Sequence, residues 1–261
     1  MNAGGPPLLE MRSMSKSFGP VKAVVDVDLI LNAGEILGVV GDNAAGKSTL
    51  MKLLTAVHKS DSGEILFEGK PVQITSPRDA RHLGIEMIYQ DFSLSPNLNV
   101  MENVFLGREL TRSILGLPIL NRRRMKELSL EVIGNTGIRI ESANKLVTDL
   151  SGGQQQGVAI ARALAFNAKI IIMDEPTASL SVKAIPPLLK LMRRFKDEGI
   201  SMIFITHRIQ DILDTCDRVM VLRRGSCVGE SLVENTSIDE VTSLITGSRE
   251  AFGVPPNHQA H

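Results

Sequence analysis

Residues 36–49 read ILGVVGDNAAGKST, an apolar run that leads into a glycine-bearing loop. Ile36–Val40 has the composition of a short strand buried on both faces. After the loop, Leu50, Leu53 and Leu54 recur with helical spacing and predict a helix over residues 47–57. A buried strand, a tight loop and a helix in this order are typical of an α/β fold.

The loop fits the pattern G-x-x-x-x-G-K-[ST], whose spacing suits phosphate. Glycine is needed where backbone approaches the anion, and the N–H groups of the loop and of the following helix point at it. In this pattern the lysine reaches the β- and γ-phosphates, and the serine is a magnesium ligand. The candidate phosphate-binding residues are consecutive: Gly41, Asp42, Asn43, Ala44, Ala45, Gly46, Lys47, Ser48 and Thr49. A chance match is the alternative, and it has a probability on the order of 1% in a chain this long.

Outside the loop, strand and helix signals alternate. Apolar runs predict strands over 9–15, 24–31, 64–68, 85–89, 169–174, 201–206 and 218–222. Helical spacing and capping predict helices over 78–83, 152–166, 187–198 and 209–215, with Ser76 as N-cap and Pro77 at the first position of the first of these. Residues 91–150 have few strand signals and predict a helical subdomain. Such alternation indicates a mostly parallel sheet flanked by helices.

Charge and hydropathy exclude several classes of protein. Lys plus Arg and Asp plus Glu both number 29, so no basic excess indicates nucleic acid. The apolar runs are far shorter than the roughly 20 residues that cross a bilayer. Neither a signal peptide nor a lipidation box is recognisable, which predicts a cytosolic chain. Cys216 and Cys227 fit neither a zinc site nor a disulfide framework and are expected to be buried thiols.

A second apolar strand ends in two carboxylates, Asp174 and Glu175. Adjacent strand residues face opposite sides, so the two cannot share one role. Asp174 suits Mg²⁺, directly or through water, and Glu175 suits the orientation and deprotonation of an attacking water. A solvated strand end before the turn at Pro176 is the alternative, and the phosphate loop makes it less favoured.

A third motif, Leu150-Ser151-Gly152-Gly153-Gln154, precedes a predicted helix. Together with the phosphate loop and the acidic strand, it resembles the signature of ABC ATPases, and the resemblance covers nearly the whole chain in the right order. Within it, Phe18 resembles the aromatic residue that stacks on adenine, Gln90 the loop glutamine between subdomains, and His207 the switch histidine. The alternatives are that Phe18 packs in the core, that Gln90 is a solvated strand end and that His207 is structural.

The resemblance implies a fold and a ligand set. The fold is α/β, a P-loop NTPase of ABC ATPase type, with a mostly parallel sheet core, an antiparallel β subdomain and a helical subdomain at about 91–150. One domain would span 8–247, with flexible tails at 1–7 and 248–261. ATP and Mg²⁺ are the implied cofactors, with Ser48, Gln90 and Asp174 on the metal and Glu175 and His207 catalytic. Ser151, Gly152, Gly153 and Gln154 would face ATP held by a second cassette, so a homodimer is expected.

Several positions depart from the family pattern. Ala44 and Ala45 occupy the phosphate loop, and alanine disfavours positive φ, so both are expected in ordinary backbone regions. Gln155 stands where a basic residue is common. Ser181 replaces an aspartate, which puts some coupling between subunits in doubt. The helix after it is expected to begin near Pro186.

Residues 78–109 resemble the monosaccharide-import branch, carbohydrate uptake transporter class 2, and the chain resembles its single-cassette members. The resemblance implies an ATP-hydrolysing importer subunit, peripheral at the cytoplasmic face of the inner membrane. Its partners would be a membrane-spanning permease, contacted through 91–150, and indirectly an extracytoplasmic sugar-binding protein, with no nucleic acid. Arg122, Arg123 and Arg124 are expected to form a solvated helix face. A soluble ABC ATPase acting on DNA or ribosomes and a regulator without turnover are the alternatives.

Overall fold

A computed structural model describes residues 5–178 and 180–248. In this part of the chain the strands form three sheets. They are β1 (Leu9–Phe18), β2 (Val21–Leu31), β3 (Ile36–Val40), β4 (Ser62–Phe67), β5 (Lys70–Val72), β6 (Ile85–Ile88), β7 (Thr111–Ile114), β8 (Leu117–Leu120), β9 (Ile170–Asp174), β10 (Ser201–Ile205), β11 (Arg218–Arg223) and β12 (Ser226–Leu232).

Eight α-helices accompany these strands within the described ranges. They are α1 (Lys47–Leu54), α2 (Pro77–His82), α3 (Val100–Phe105), α4 (Arg122–Asn135), α5 (Gly152–Leu164), α6 (Ile185–Asp197), α7 (Ile209–Thr215) and α8 (Ile238–Thr246). Over the described residues, none of them has the length and hydropathy needed to cross a membrane.

The central sheet has the strand order β12-β11-β3-β10-β9-β6. Every neighbouring pair is parallel except β11 and β12, which form an antiparallel edge. Strands β3, β9 and β10 are buried along their whole length. Successive residues of β3 enter opposite cores: Ile36 packs with α6 and α7, whereas Leu37 packs with α1. This burial on both faces explains the unbroken apolar runs of the sequence.

The antiparallel sheet has the order β2-β1-β4-β5 and shares a core with the central sheet and α1. Met11 of β1 and Leu29 of β2 pack in the same cluster as Leu50 and Leu54 of α1. Burial of these side chains removes apolar surface from water and fixes the sheet against the helix that follows the phosphate loop. The expected α/β fold with an antiparallel β subdomain is therefore confirmed.

Residues 91–150 contribute α3 and α4 to a third core, which they share with the inner face of α5. Phe105, Ile133 and Val158, one from each helix, lie in it. The expected helical subdomain also contains two strands that were not predicted, because β7 and β8 form a two-stranded hairpin inside it. All eight strand residues of the hairpin are exposed, so no buried alternation marks them in the sequence.

The helix boundaries follow local capping. Ser76 and Asp79 form the capping box that starts α2, with Pro77 at the first position as expected. Helix α6 begins at Ile185, one residue before the expected start, after a 3₁₀ turn over Val182–Ala184. Strands β5 and β12 and helix α8 were not predicted. The expected tails lie mostly outside the described residues, at 1–4 and 249–261.

Burial of the two thiols was predicted, and Cys216 is buried whereas Cys227 is half-buried. Burial raises the pKa of Cys216 well above its ordinary value and that of Cys227 to about 11. Both therefore stay protonated at neutral pH, and a protonated thiol is a poor nucleophile and metal ligand.

Candidate functional site

The phosphate loop connects β3 to α1 and depends on two glycines. Gly41 and Gly46 have φ angles of 155° and 102°. A Cβ at Gly41 would lie 2.2 Å from the carbonyl oxygen of Leu222, and one at Gly46 would lie 2.5 Å from that of Ala23. Neighbouring backbone therefore leaves no room for a side chain at either position. Both glycines of the motif are fixed by packing as well as by the space that phosphate needs.

Lys47 lies across this loop. Its side chain is buried, and Nζ donates hydrogen bonds to the carbonyl oxygens of Gly41 at 2.8 Å and Asp42 at 3.0 Å. Gly46 caps α1 without a side-chain hydrogen bond, so the first N–H groups of the helix remain available to an anion. The ammonium group of Lys47 and the N-terminus of α1 thus lie at the same loop, and both carry positive charge that favours an anion.

Ala44 and Ala45 were both expected to have ordinary backbone angles, and this is correct for only one of them. Ala45 has ordinary backbone angles, but Ala44 has a φ of 62°, in the left-handed region. A non-glycine residue in that region costs about 1–2 kcal/mol. The amide of Ala45 donates to the carbonyl of Asp42 at 3.1 Å, which closes the turn that Ala44 occupies. The tightness of this turn imposes the left-handed conformation.

Ser48 and Asp174 meet where α1 passes the end of β9. The Ser48 hydroxyl donates to Oδ1 of Asp174 at 3.0 Å. Burial raises the pKa of the Asp174 carboxyl, and the hydrogen bond from Ser48 opposes this rise. Gln90 lies in the same cavity of about 510 Å³, beside Ser48 and Asp174. A hydroxyl, a carboxylate and an amide oxygen make a donor set that suits Mg²⁺.

Glu175 follows the last residue of β9 and does not line the cavity of Ser48, Gln90 and Asp174. It has a left-handed φ of 52°, and its amide donates to the carbonyl of Ile205 on β10 at 2.9 Å. Its carboxylate oxygen Oε2 lies 2.6 Å from Nδ1 of His207, which follows β10. Glu175 and His207 thus form one pair at the carboxyl ends of neighbouring strands.

Phe18 ends β1 and is 44% exposed, so it is not a core residue. Its ring meets that of His58 edge to face, with the centroids 5.1 Å apart, and the ammonium of Lys16 lies 5.5 Å from it. An exposed aromatic face held by two neighbours can stack on a planar base. This geometry agrees with the stacking role and disagrees with the core-packing alternative.

The signature residues start α5 and do not join the loop. Ser151 and Gln154 form a capping box, and Gln154 also donates to the carbonyl of Arg139 at 3.0 Å. A Cβ at Gly153 would meet nothing within 4 Å. Ser151, Gly153 and Gln154 line a different cavity, of about 840 Å³, next to α6. The described structure therefore brings Ser48, Gln90 and Asp174 together and keeps the signature apart from them.

Several neighbours of the site were missed by the sequence reasoning. Lys52 and Asp91 line the same cavity as Ser48 and Asp174. Lys52 lies four residues after Ser48 on α1, and that spacing could have identified it. Gln155, which replaces the usual basic residue, donates to the carbonyls of Val147 at 2.9 Å and Leu150 at 3.4 Å, and so holds the turn before the signature.

Comparisons with known proteins identify the relatives of this chain. The family described as "ABC transporter" matches residues 24–178. The xylose/arabinose import ATP-binding protein XylG of Sulfolobus acidocaldarius is 46% identical over 239 residues, which cover 92% of this chain and 94% of that protein. The ribose import ATP-binding protein RbsA of Yersinia pestis is 45% identical over 92% of this chain, and the chain spans about half of its length, 46%.

Solved structures show the same fold. An ATP-binding cassette of an ABC transporter in its ADP conformation is 25% identical, with a TM-score of 0.74 and coverage of 92% of this chain and 95% of that one. A dimeric ATP-binding cassette in a post-hydrolysis state, bound to ADP and Pi, is 26% identical, with a TM-score of 0.72 and coverage of 87% and 100%. On the family match and the 46% identity across nearly the whole of one relative, the chain belongs to the ABC transporter family of ATP-binding cassettes.

Proposed function

We propose that this chain is the ATP-hydrolysing subunit of an ABC importer for a monosaccharide. One observation carries the proposal: the phosphate loop, the Ser48–Asp174 contact and the Glu175–His207 pair all lie at the carboxyl ends of neighbouring strands of one sheet. In α/β sheets this edge is where ligands bind. The names of the sugar-import relatives support the choice of cargo.

ATP would bind with its phosphates on the loop and its base on Phe18. Lys47 would exchange its two carbonyl partners for phosphate oxygens. Ser48, Asp174 and Gln90 would hold Mg²⁺, which neutralises phosphate charge when bound. The direct contact between Ser48 and Asp174 supports this assignment, because two oxygen ligands of one cation must lie within a few ångströms of each other.

Glu175 would orient the attacking water and accept its proton. The carboxylate is held on one side by His207 at 2.6 Å and through its own amide by β10. A base held in this way needs little reorganisation during reaction. His207, whose side chain is 61% exposed, is free to reach a γ-phosphate on its other side.

The signature would act on a second cassette. Ser151 and Gly153 lie at the N-terminus of a 13-residue helix, where partial positive charge favours phosphate. Since they line a cavity away from the loop, the γ-phosphate they meet would belong to ATP on the partner cassette. The partner would be a second copy or a paired paralogue. Residues 8–247 would act as one ATPase domain, peripheral at the cytoplasmic face of the membrane, and 91–150 would contact the permease.

An ATPase assay tests the catalytic part of this proposal. Glu175→Gln and His207→Ala should each lower kcat by about 10²-fold or more, because they remove the base or its holder. Glu141→Gln and His82→Ala change exposed residues away from the site and serve as matched controls. Full Mg-dependent activity in either site variant would contradict the assignment.

The transport part needs a separate test. The chain would be purified with its permease and reconstituted in proteoliposomes, with the extracytoplasmic binding protein added with or without xylose, arabinose or ribose. We expect sugar-stimulated hydrolysis with at least one of them. Recovery of the chain with ribosomes or DNA instead of a permease would contradict the transport role.

A further inference from the structure

The β7–β8 hairpin of the helical block carries exposed apolar side chains that the ATPase site does not use. Its cross-strand pairs include Arg112 with Ile119 and Ile114 with Leu117. Because paired residues share a face, these four side chains lie together on one side of the ribbon. Leu117 is 66% exposed, and Ile114 and Ile119 are exposed as well. This side is an apolar face that no other element of the described chain covers.

The turn of the hairpin adds a second observation. Leu115 and Gly116 connect the two strands and both have positive φ, at 50° and 82°, as in a type I′ turn. Asparagine, aspartate and glycine suit such a position, and leucine is strained there. Leu115 is nevertheless 99% exposed, so its side chain contributes no packing to the fold. Leu115 thus has a strained backbone and a fully exposed apolar side chain at the tip of the hairpin. This combination indicates that the side chain contacts something outside this chain.

The charge around the hairpin identifies the kind of surface. Residues 108–127 hold six basic residues and two acidic ones, although the whole chain has no net charge. One of the six, Arg108, is neutralised by Glu86 at 2.6 Å, which leaves five near the hairpin. Arg122, Arg123 and Arg124 follow β8 directly and are exposed at the start of α4. Arg122 pairs with Glu102 at 2.8 Å. Glu127 accepts a hydrogen bond from Arg123 at 3.0 Å and forms an ion pair with Arg124 at 3.9 Å, so one carboxylate serves two guanidinium groups and one positive charge of the cluster stays uncompensated. The hairpin is thus an apolar tip with a positively charged base.

We propose that the β7–β8 hairpin inserts into the headgroup region of a bilayer that contains anionic phospholipid. Apolar side chains that enter the interface beside arginines that pair with lipid phosphates are the pattern of peripheral membrane attachment. A strand of four residues spans about 13 Å, which is more than enough to reach across the headgroup region of one leaflet, about 5–8 Å deep. The contact goes beyond the proposed function, because it requires neither ATP nor the permease.

Vesicle flotation tests the hairpin with the full chain and no permease. We expect the protein to float with vesicles of phosphatidylcholine containing about 30% phosphatidylglycerol, to float less with phosphatidylcholine alone, and to be released by high salt. Leu115→Asp with Leu117→Asp should lower the partition coefficient about tenfold or more. The matched control is Leu232→Asp with Ile238→Asp, which places two acids at exposed apolar positions elsewhere.

Because Leu115 and Leu117 are exposed, their variant should keep the melting temperature and the ATPase activity of the unmodified chain. No flotation of the unmodified chain, or equal flotation of the hairpin variant and the unmodified chain, would overturn the proposal. So would a hairpin-dependent dimer in the absence of lipid, which would assign the face to a second copy. If the unmodified chain hydrolyses ATP but does not float, the membrane proposal fails and the proposed function stands. If the unmodified chain floats but does not hydrolyse ATP, the proposed function fails and the membrane proposal stands.

Discussion

At the scale of single residues, the buried carboxylate of Asp174 would serve the proposed cation but lowers the stability of the fold. Asp174 is buried at the end of β9 beside Glu175, and burial raises the pKa of its carboxyl. A raised pKa in the fold means that the folded protein binds the proton more tightly than the unfolded chain. Stability is then lost as the pH rises from the ordinary aspartate pKa through the raised value. The negative charge of Asp174, which a cation would use, therefore lowers the free energy of unfolding of the nucleotide-free protein.

Asp174→Asn should remove this cost. The amide oxygen of asparagine can still accept the Ser48 hydroxyl, so we expect the nucleotide-free variant to melt about 2 °C higher at pH 7–8. Below the ordinary aspartate pKa the gain should vanish. Calorimetry between pH 3 and 8 measures it, with the exposed Asp149→Asn as control. Mg-dependent hydrolysis should fall in the same variant. A lower melting temperature at pH 7–8 would contradict the account.

At the scale of elements, Gly153 of α5 is a position where the fold does not require glycine but the proposed contact with phosphate does. This glycine lies in the first turn of the helix with ordinary φ, and a Cβ there would meet no atom within 4 Å. The fold of one chain therefore has no need of glycine at this position. If the helix tip approaches a phosphate of the partner cassette, the added methyl group would obstruct it.

Gly153→Ala should accordingly stabilise the monomer slightly and impair turnover. Alanine favours the helix by about 0.5–1 kcal/mol over glycine, whereas hydrolysis should fall about tenfold or more. Gly134→Ala in α4 is the matched control, since its Cβ also meets open space. Chemical denaturation and an ATPase assay measure both quantities. Unchanged hydrolysis in Gly153→Ala would mean that the helix tip does not approach phosphate.

The elements also show how far sequence reasoning reached. Strands β3, β9 and β10 are buried on both faces, so their apolar runs were unambiguous, and the helix α7 was placed at its observed bounds. The hairpin was missed because none of its strand residues is buried, so no alternation appears. The left-handed Ala44 was missed because alanine disfavours positive φ, and residue preference alone does not reveal the local turn from Asp42 to Ala45 that imposes this conformation.

At the scale of the whole molecule, the proposed ATP site would be divided between two cassettes. The phosphate loop with Ser48 and Asp174 opens on one cavity, and Ser151 and Gly153 open on another. The family resemblance implies that the signature acts on a partner cassette, but the separation of the two cavities is visible only in the fold. If ATP fills the gap between two cassettes, its binding drives association and its hydrolysis reverses it.

The molar mass of Glu175→Gln protein in saturating Mg-ATP tests this central claim most directly. The variant keeps the loop, the cation ligands and the signature but lacks the carboxylate that would activate water, so ATP should stay trapped. Light scattering after gel filtration should show twice the monomer mass with Mg-ATP and the monomer mass with Mg-ADP. Lys47→Ala added to the same variant should abolish the dimer. A monomer in saturating Mg-ATP would contradict the shared site.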